Sequence, residues 1–342
     1  MENKKILLLG GTGAMGVYLA PRLSQMGYEV YITSRKKRVS DDPRIHYIQG
    51  NAKEWEFLSG VLAEGYDAVV DFMIYHTKEF RARYMDLLNS TPHYLFLSSY
   101  RVYGDNQGKP ISETSPRLLD SVNDEAYLAS DEYGLTKARQ ENLLIKASKK
   151  NWTILRPAIT YSKTRFQLGT MEAKEFLYRG LQNKKIIFPK QMLEKEATMS
   201  WAGDVAEMIA RVILKEEAMG EIYTVSSAEH HKWGEIVEYY KKILGLKVTI
   251  VDLAEYEKII GRSWQIKYDR MLDRVMDNSK ILAVTGMKEE DMMPLYDGLK
   301  MELENFVKSP TYGAINQEKE QAIDEITTTR WDKFLKFLGL KK

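Results

Sequence analysis

Short apolar runs alternating with longer stretches of helical spacing predict an α/β fold: a doubly wound parallel sheet followed by a smaller second region. Three observations carry this. The run Leu7-Leu8-Leu9 leads into glycines at 10, 11, 13 and 16, five further strand-like runs recur up to residue 156, and the intervening segments keep the i, i+3, i+4 apolar spacing of helices. Parallel neighbours need long crossovers, so strands separated by helices point to a parallel sheet covered on both faces.

The first strand spans residues 5–9 and is apolar enough to be buried on both sides. A helix follows over 15–25 through Val17, Leu19, Ala20 and Leu23, with Pro21 either in its first turns or at a kink. Strands are expected at 29–33, 45–49, 68–74, 94–98 and 152–156, which makes the first half Rossmann-like. The polar stretch 106–131, with Pro110 and Pro116, reads as a long loop. Beyond Pro157 the alternation loosens into helices at 172–182, 204–214 and 233–244 and a strand at 222–225. The expected division is a nucleotide-binding domain over 1–160 and a substrate-binding region over 161–342, with about 196–226 returning to the first domain. Trp331, Phe334, Leu335, Phe337 and Leu338 have the spacing of a terminal amphipathic helix that packs on the body or, as the alternative, on a partner.

Composition narrows the chemistry. The 342 residues include no cysteine, which excludes disulfides, thiolate metal sites and cysteine nucleophiles. Fifty basic against 48 acidic residues leave a charge of +2, so no global field favours nucleic acid. No apolar run approaches the roughly 20 residues of a membrane span, and a cytoplasmic protein without a membrane partner is expected. His230-His231 lacks ligand partners at a recognised spacing and reads as a surface pair, so no metal site is expected.

The candidate site residues lie where strands end. Gly10, Thr12, Gly13, Ala14, Met15 and Gly16 form a strand-to-helix turn in which missing side chains let backbone amides and a helix N-terminus approach a pyrophosphate. Ser34 and Arg35 follow the second strand, 19 residues beyond Gly16 in the case of Arg35, where an acidic side chain would bind the ribose diol of NAD. A guanidinium suits a 2′-phosphate, so NADP(H) is the preferred cofactor and NAD(H) the alternative. Tyr133 and Lys137, four residues apart, share one helix face, where an ammonium lowers a phenol's pKa. Ser99, in Ser98-Ser99-Tyr100-Arg101-Val102-Tyr103-Gly104, sits at the carboxyl edge of the sheet.

Together these segments resemble the extended short-chain dehydrogenase/reductase superfamily, specifically the NAD-dependent epimerase/dehydratase family, over roughly residues 4–305. Matching features also include Ile154-Leu155-Arg156-Pro157 and the segment 201–206 with Asp204. The resemblance implies that Ser99 and Tyr133 bracket the reacting oxygen and that Lys137 binds the nicotinamide ribose. It also places Asn51 where an aspartate often contacts adenine, and Pro157 beside the cofactor. The implied substrate is a nucleotide sugar, and the implied assembly a homodimer.

Two departures bear on the reaction. Tyr100-Arg101 stands where 4,6-dehydratases typically carry Asp-Glu, which disfavours dehydration, and the absence of cysteine disfavours 3,5-epimerisation. Reduction of a 4-keto sugar and 4-epimerisation remain. Where many nucleotide-sugar members place an asparagine after the matched arginine, this chain reads Pro157-Ala158-Ile159-Thr160-Tyr161. A reading of another class is a non-catalytic scaffold that binds RNA or a protein partner, as in chloroplast RNA-binding relatives of the broader neighbourhood. The cationic clusters 35–38 and 184–185 are small and far apart, so no nucleic acid is expected.

Overall fold

Ile6 through Leu9 have no exposed surface, as a central parallel strand requires. In the computed structural model, which describes residues 4–328, this strand, β1 (Lys5–Leu9), lies within a seven-stranded sheet. The other strands are β2 (Glu29–Ser34), β3 (Ile45–Gln49), β4 (Ala68–Asp71), β5 (His93–Leu97), β6 (Trp152–Pro157) and β7 (Glu221–Val225). Every pairing is parallel, in the order β7-β6-β5-β4-β1-β2-β3. The chain thus winds outward from β1 in both directions, and the reversal between β1 and β4 opens a crevice at their carboxyl ends.

Strand alternation builds two cores. Ile6 and Leu8 face one side with Leu19 and Leu23 of helix α1 (Gly16–Gln25). Leu7 and Leu9 face the other with Leu58 of α2 (Trp55–Ala63), Phe80 and Leu87 of α3 (Thr77–Asn89) and Leu144 of α4 (Tyr133–Lys146). Val205 and Ile209 of α5 (Ala202–Val212) complete the first layer. The Rossmann-like α/β architecture expected from the sequence is therefore the observed one.

The chain divides into two compact units. The first takes Met1–Thr164, Thr198–His230 and Arg274–Leu299, and contains the sheet. The second takes Arg165–Ala197, His231–Asp273 and the segment from Lys300 onward. Its strands Lys185–Pro189 and Lys247–Val251 pair in parallel, and its buried Arg179 reaches Glu320 at 2.8 Å.

Several boundaries differ from expectation for local reasons. The strand expected over 68–74 ends at Asp71, because the Asp71 carboxylate accepts the Met73 N–H at 2.8 Å and turns the chain out of the sheet. The loop 106–131 contains two short helices, Leu118–Ser121 and Glu125–Ala129, the second capped by Asp124, which accepts the Tyr127 N–H at 3.1 Å. Pro21 sits exposed inside α1, which continues to Gln25. The helix expected over 204–214 runs Ala202–Val212, and Leu214 beyond it has a left-handed φ of 61°. Trp331, Phe334, Leu335, Phe337 and Leu338 lie outside the described residues. Among the described residues no helix is long and apolar enough to cross a membrane.

His93, at the start of β5, has no exposed surface. Its Nδ1 accepts the Leu214 N–H at 2.9 Å, so the proton resides on Nε2, which donates to Thr153 Oγ1 at 2.8 Å. Burial pushes its pKa down to about 4. Between pH 6.5 and 4 the unfolded chain therefore binds the proton that the fold refuses, and this stabilisation, complete above pH 6.5, is lost as pH falls. The loss is expected to reach about 3 kcal/mol. Denaturant titrations at pH 7 and 4.5 should show a smaller drop in unfolding free energy for His93→Gln than for the unaltered chain.

Candidate active site

The glycine turn after β1 is shaped by contacts that side chains would block. Gly10 has φ +69°, and a Cβ there would stand 2.9 Å from Met73 Sδ. At Gly16 a Cβ would lie 2.1 Å from the Gly11 carbonyl oxygen, so α1 begins pressed against its own turn. Gly13 differs: it is exposed, and a Cβ would meet nothing within 4 Å. Thr12, Ala14 and Met15 are half-buried around it, and Met15 at the N-cap supplies no side-chain hydrogen bond to the first turn. The turn leaves open space in front of a helix N-terminus, which is the geometry a pyrophosphate needs.

At the end of β2 the buried Ser34 hydroxyl donates to Lys36 O at 2.8 Å and accepts the Lys36 N–H, while Arg35 is exposed. Beyond β3, Asn51 Oδ1 accepts the Lys53 N–H at 3.2 Å and Nδ2 donates to Glu54 at 3.0 Å, so its amide organises the entry to α2. Pro157 is buried and closes β6 beside Val225 of β7.

Across the crevice, β5 ends at Leu97 and the chain enters a 3-10 turn, Tyr100–Val102, capped by Ser99, whose Oγ accepts the Arg101 N–H at 3.2 Å. Helix α4 opens at Tyr133, and Lys137, 2% exposed, points beneath it. Lys137 Nζ donates to Leu97 O at 2.6 Å and to Met73 O at 3.5 Å, and lies 6.0 Å from the Tyr133 ring centroid. One ammonium thus joins the end of β5 to the turn just after β4, beside the tyrosine. Burial draws its pKa down to about 8, against the opposing pull of the Asp71 and Glu141 carboxylates. The structure therefore brings Gly10, Lys137, Tyr133 and the Ser99 turn to adjacent strand ends, whereas Ser34, Arg35 and Asn51 follow the outer strands β2 and β3.

Two buried acids, Asp71 and Glu141, were not singled out from the sequence. Asp71, fully buried, accepts from Tyr94 at 2.7 Å and Tyr75 at 3.1 Å, and burial raises its pKa. Glu141, one turn beyond Lys137, accepts from Arg156 at 2.8 and 2.7 Å, from Ser98 at 2.6 Å and from Arg117 at 3.2 Å. Arg156 lies 4.8 Å from the Tyr103 ring centroid, and Tyr103 reaches Thr224 at 2.7 Å. A lone acid inside the apolar run 68–74 was the available signal for Asp71.

Residues 6–226 match the NAD dependent epimerase/dehydratase family. The chain belongs to that family. A chloroplast stem-loop binding protein of 41 kDa from Arabidopsis thaliana is 26% identical over 245 residues, covering 67% of this chain and 60% of that protein. A UDP-glucose 4-epimerase from Lacticaseibacillus casei is 28% identical over 149 residues, 37% of this chain and 44% of the epimerase. The chain thus spans about half the length of these curated relatives. A dTDP-glucose 4,6-dehydratase from Bacillus anthracis, solved with NAD, superposes with TM-score 0.70 at 16% identity, over 90% of this chain and 97% of the dehydratase. That likeness shows that the epimerase/dehydratase fold is shared.

Two substitutions separate space from function in the turn. Gly16→Ala should destabilise the fold by about 3 kcal/mol because backbone must move, whereas Gly13→Ala should stay within about 0.5 kcal/mol; chemical denaturation reads both. Glu141→Gln leaves Arg156 buried beside a neutral amide and should cost about 3–5 kcal/mol, seen as a lowered denaturation midpoint at unchanged slope.

Proposed function

We propose that the protein is an NADP(H)-dependent oxidoreductase that reduces a 4-keto nucleotide sugar. The observation that carries this is Lys137, buried and hydrogen-bonded to the end of β5 and to Met73 just after β4 while facing Tyr133, at the reversal where β1 delivers the glycine turn. A buried lysine so tethered is costly in a merely structural role, and an ammonium beside a phenol is what proton transfer near neutrality needs.

The residues present fit the cofactor. Gly10, Gly13 and Gly16, with Thr12, Ala14 and Met15, would hold its pyrophosphate on the N-terminus of α1, and Asn51 would lie towards the adenine. Ser34 and Arg35 would take the ribose 2′-phosphate, since Arg35 is exposed and the Ser34 turn presents it outward. When bound there, NADPH would supply the hydride for the carbonyl carbon. Tyr133 donates the proton to the carbonyl oxygen as negative charge develops there, and Ser99 hydrogen-bonds the same oxygen. Two of the three Lys137 donors are directed at Leu97 O and Met73 O. The third is left for the nicotinamide ribose, and the ammonium favours the phenolate that Tyr133 becomes. Pro157 would line the nicotinamide end. Tyr100-Arg101 supplies no acid and base pair to expel water, so the reaction stops at the alcohol.

Tyr133→Phe should lower turnover by at least about a hundredfold while leaving NADPH affinity within about twofold, as read by steady-state kinetics and fluorescence titration. Substantial residual turnover would show that another group gives the proton. Arg35→Ala should raise the Michaelis constant for NADPH by about tenfold, the effect of one lost charge-assisted contact, and leave that for NADH unchanged. A preference for NADH that survives the substitution would refute the assignment of the 2′-phosphate site.

The similarity to a UDP-glucose 4-epimerase favours a second reading, 4-epimerisation, in which Tyr133 first removes the hydroxyl proton and later returns it. Product analysis separates the two: an epimerase converts substrate with no net NADPH consumption. Similarity to a stem-loop binding protein supports a non-catalytic reading, under which the chain would retain stem-loop RNA in a salt-dependent manner and show no turnover.

A further inference from the structure

Arg101 stands two residues beyond Ser99 and has no role in the reaction described above. Its guanidinium carbon lies 5.3 Å from the Tyr133 ring centroid, and its side chain is only 16% exposed. A chain of contacts fixes it there. Its Nη2 donates to Glu132, the N-cap of α4. Glu132 is held in turn by the Gly134 N–H at 2.8 Å and the Tyr127 hydroxyl at 3.2 Å. The backbones are docked as well, since a Cβ at Gly134 would fall 2.5 Å from the Arg101 carbonyl oxygen. The turn that carries Ser99 and the helix start that carries Tyr133 therefore cannot slide independently, and the guanidinium is clamped over the phenol ring.

We infer that Arg101 is a positioning residue that holds the Tyr133 ring against the Ser99 turn and, as a permanent cation over that ring, keeps the phenol acidic. The charged groups around Tyr133 include Arg101 from the 3-10 turn, Glu132 at the helix cap, Lys137 on the same helix and, behind Lys137, Asp71 at the end of β4. A guanidinium stays protonated across the accessible pH range, whereas Lys137 loses its charge as pH rises through about 8. Arg101 thus supplies positive charge to the phenol where Lys137 no longer does. Glu132 opposes that charge through space while fixing its position, so removing either partner moves Tyr133 in opposite directions. The catalytic consequence rests on Tyr133 being the proton donor; the electrostatic one does not.

The test uses the full chain labelled with ¹³Cζ-tyrosine, the Tyr133 resonance being identified by its absence in Tyr133→Phe. Arg101→Gln keeps a hydrogen bond to Glu132 and removes the charge; it should raise the Tyr133 pKa by about one unit, a tenfold loss of phenolate at a given pH. Arg101→Lys should restore most of that shift. Glu132→Gln keeps an acceptor for Arg101 and should shift the pKa downward. An unchanged Tyr133 pKa in folded Arg101→Gln, or in Glu132→Gln should the former not fold, overturns the proposal. If these shifts occur but Tyr133→Phe still turns over the 4-keto sugar, the proton-donor assignment fails and the Arg101 effect stands.

Discussion

The buried pair of Glu141 and Arg156 is the constraint on which the site rests. Both residues are essentially unexposed, and their twin hydrogen bonds join α4 to β6. Taking the charges out of water is costly, and the attraction repays it only when the remaining donors and acceptors are satisfied. Here they are: Ser98 and Arg117 donate to Glu141, and Arg156 also donates to the Glu113 carbonyl at 3.2 Å. The pair therefore fixes the end of β5, the loop before α4, and the helix itself. Glu141 is one turn from Lys137, so the angle at which α4 meets the sheet also sets where the ammonium points. Such a pair is better understood as fixing geometry than as adding stability, because an apolar replacement of both partners could pack as well and would leave α4 free to rotate.

A second layer of polarity lies across the sheet. Asp71, Lys137 and Glu141 form an acid, base, acid series under the crevice. Burial opposes charge on Asp71 and Lys137, and their neighbours favour it. Lys137 resolves this balance with a lowered pKa, which leaves its proton less tightly held than on a surface lysine. Asp71 is moved towards its neutral form by burial, while Tyr94, the Met73 amide and Lys137 resist. A site that must release and recover a proton near neutrality gains from groups poised in this way.

Much of this was legible in the sequence, but unevenly. The strands of the sheet were readable because parallel strands covered on both faces are uninterrupted apolar runs, and the glycine turn because an apolar strand runs into it and a helical pattern leaves it. Strand ends were less so: the chain leaves the sheet at Asp71 because of a side chain to backbone bond that composition does not encode. The pairings of Glu141 with Arg156 and of Arg101 with Glu132 were not readable, since any of the chain's acids could serve any of its bases until the fold selects. Asn51 marks the same limit, because its side chain is engaged at the start of a helix, a local use that spacing from the glycines does not reveal.

The interleaving of the two units bears on how the chain reaches its native state. Strands β1 to β6 are complete by Pro157, but β7 begins at Glu221, after Arg165–Ala197 has departed into the second unit and the chain has returned at Thr198. Met276, later still, bridges back to Ile111, and the Arg274 carbonyl accepts from Thr198. During synthesis β6 must therefore wait as an exposed sheet edge while more than a sixth of the chain is made, the condition under which strands mispair with other molecules. It also means that no single cut releases either unit whole: the chain is an arrangement of two bodies that one polypeptide visits alternately.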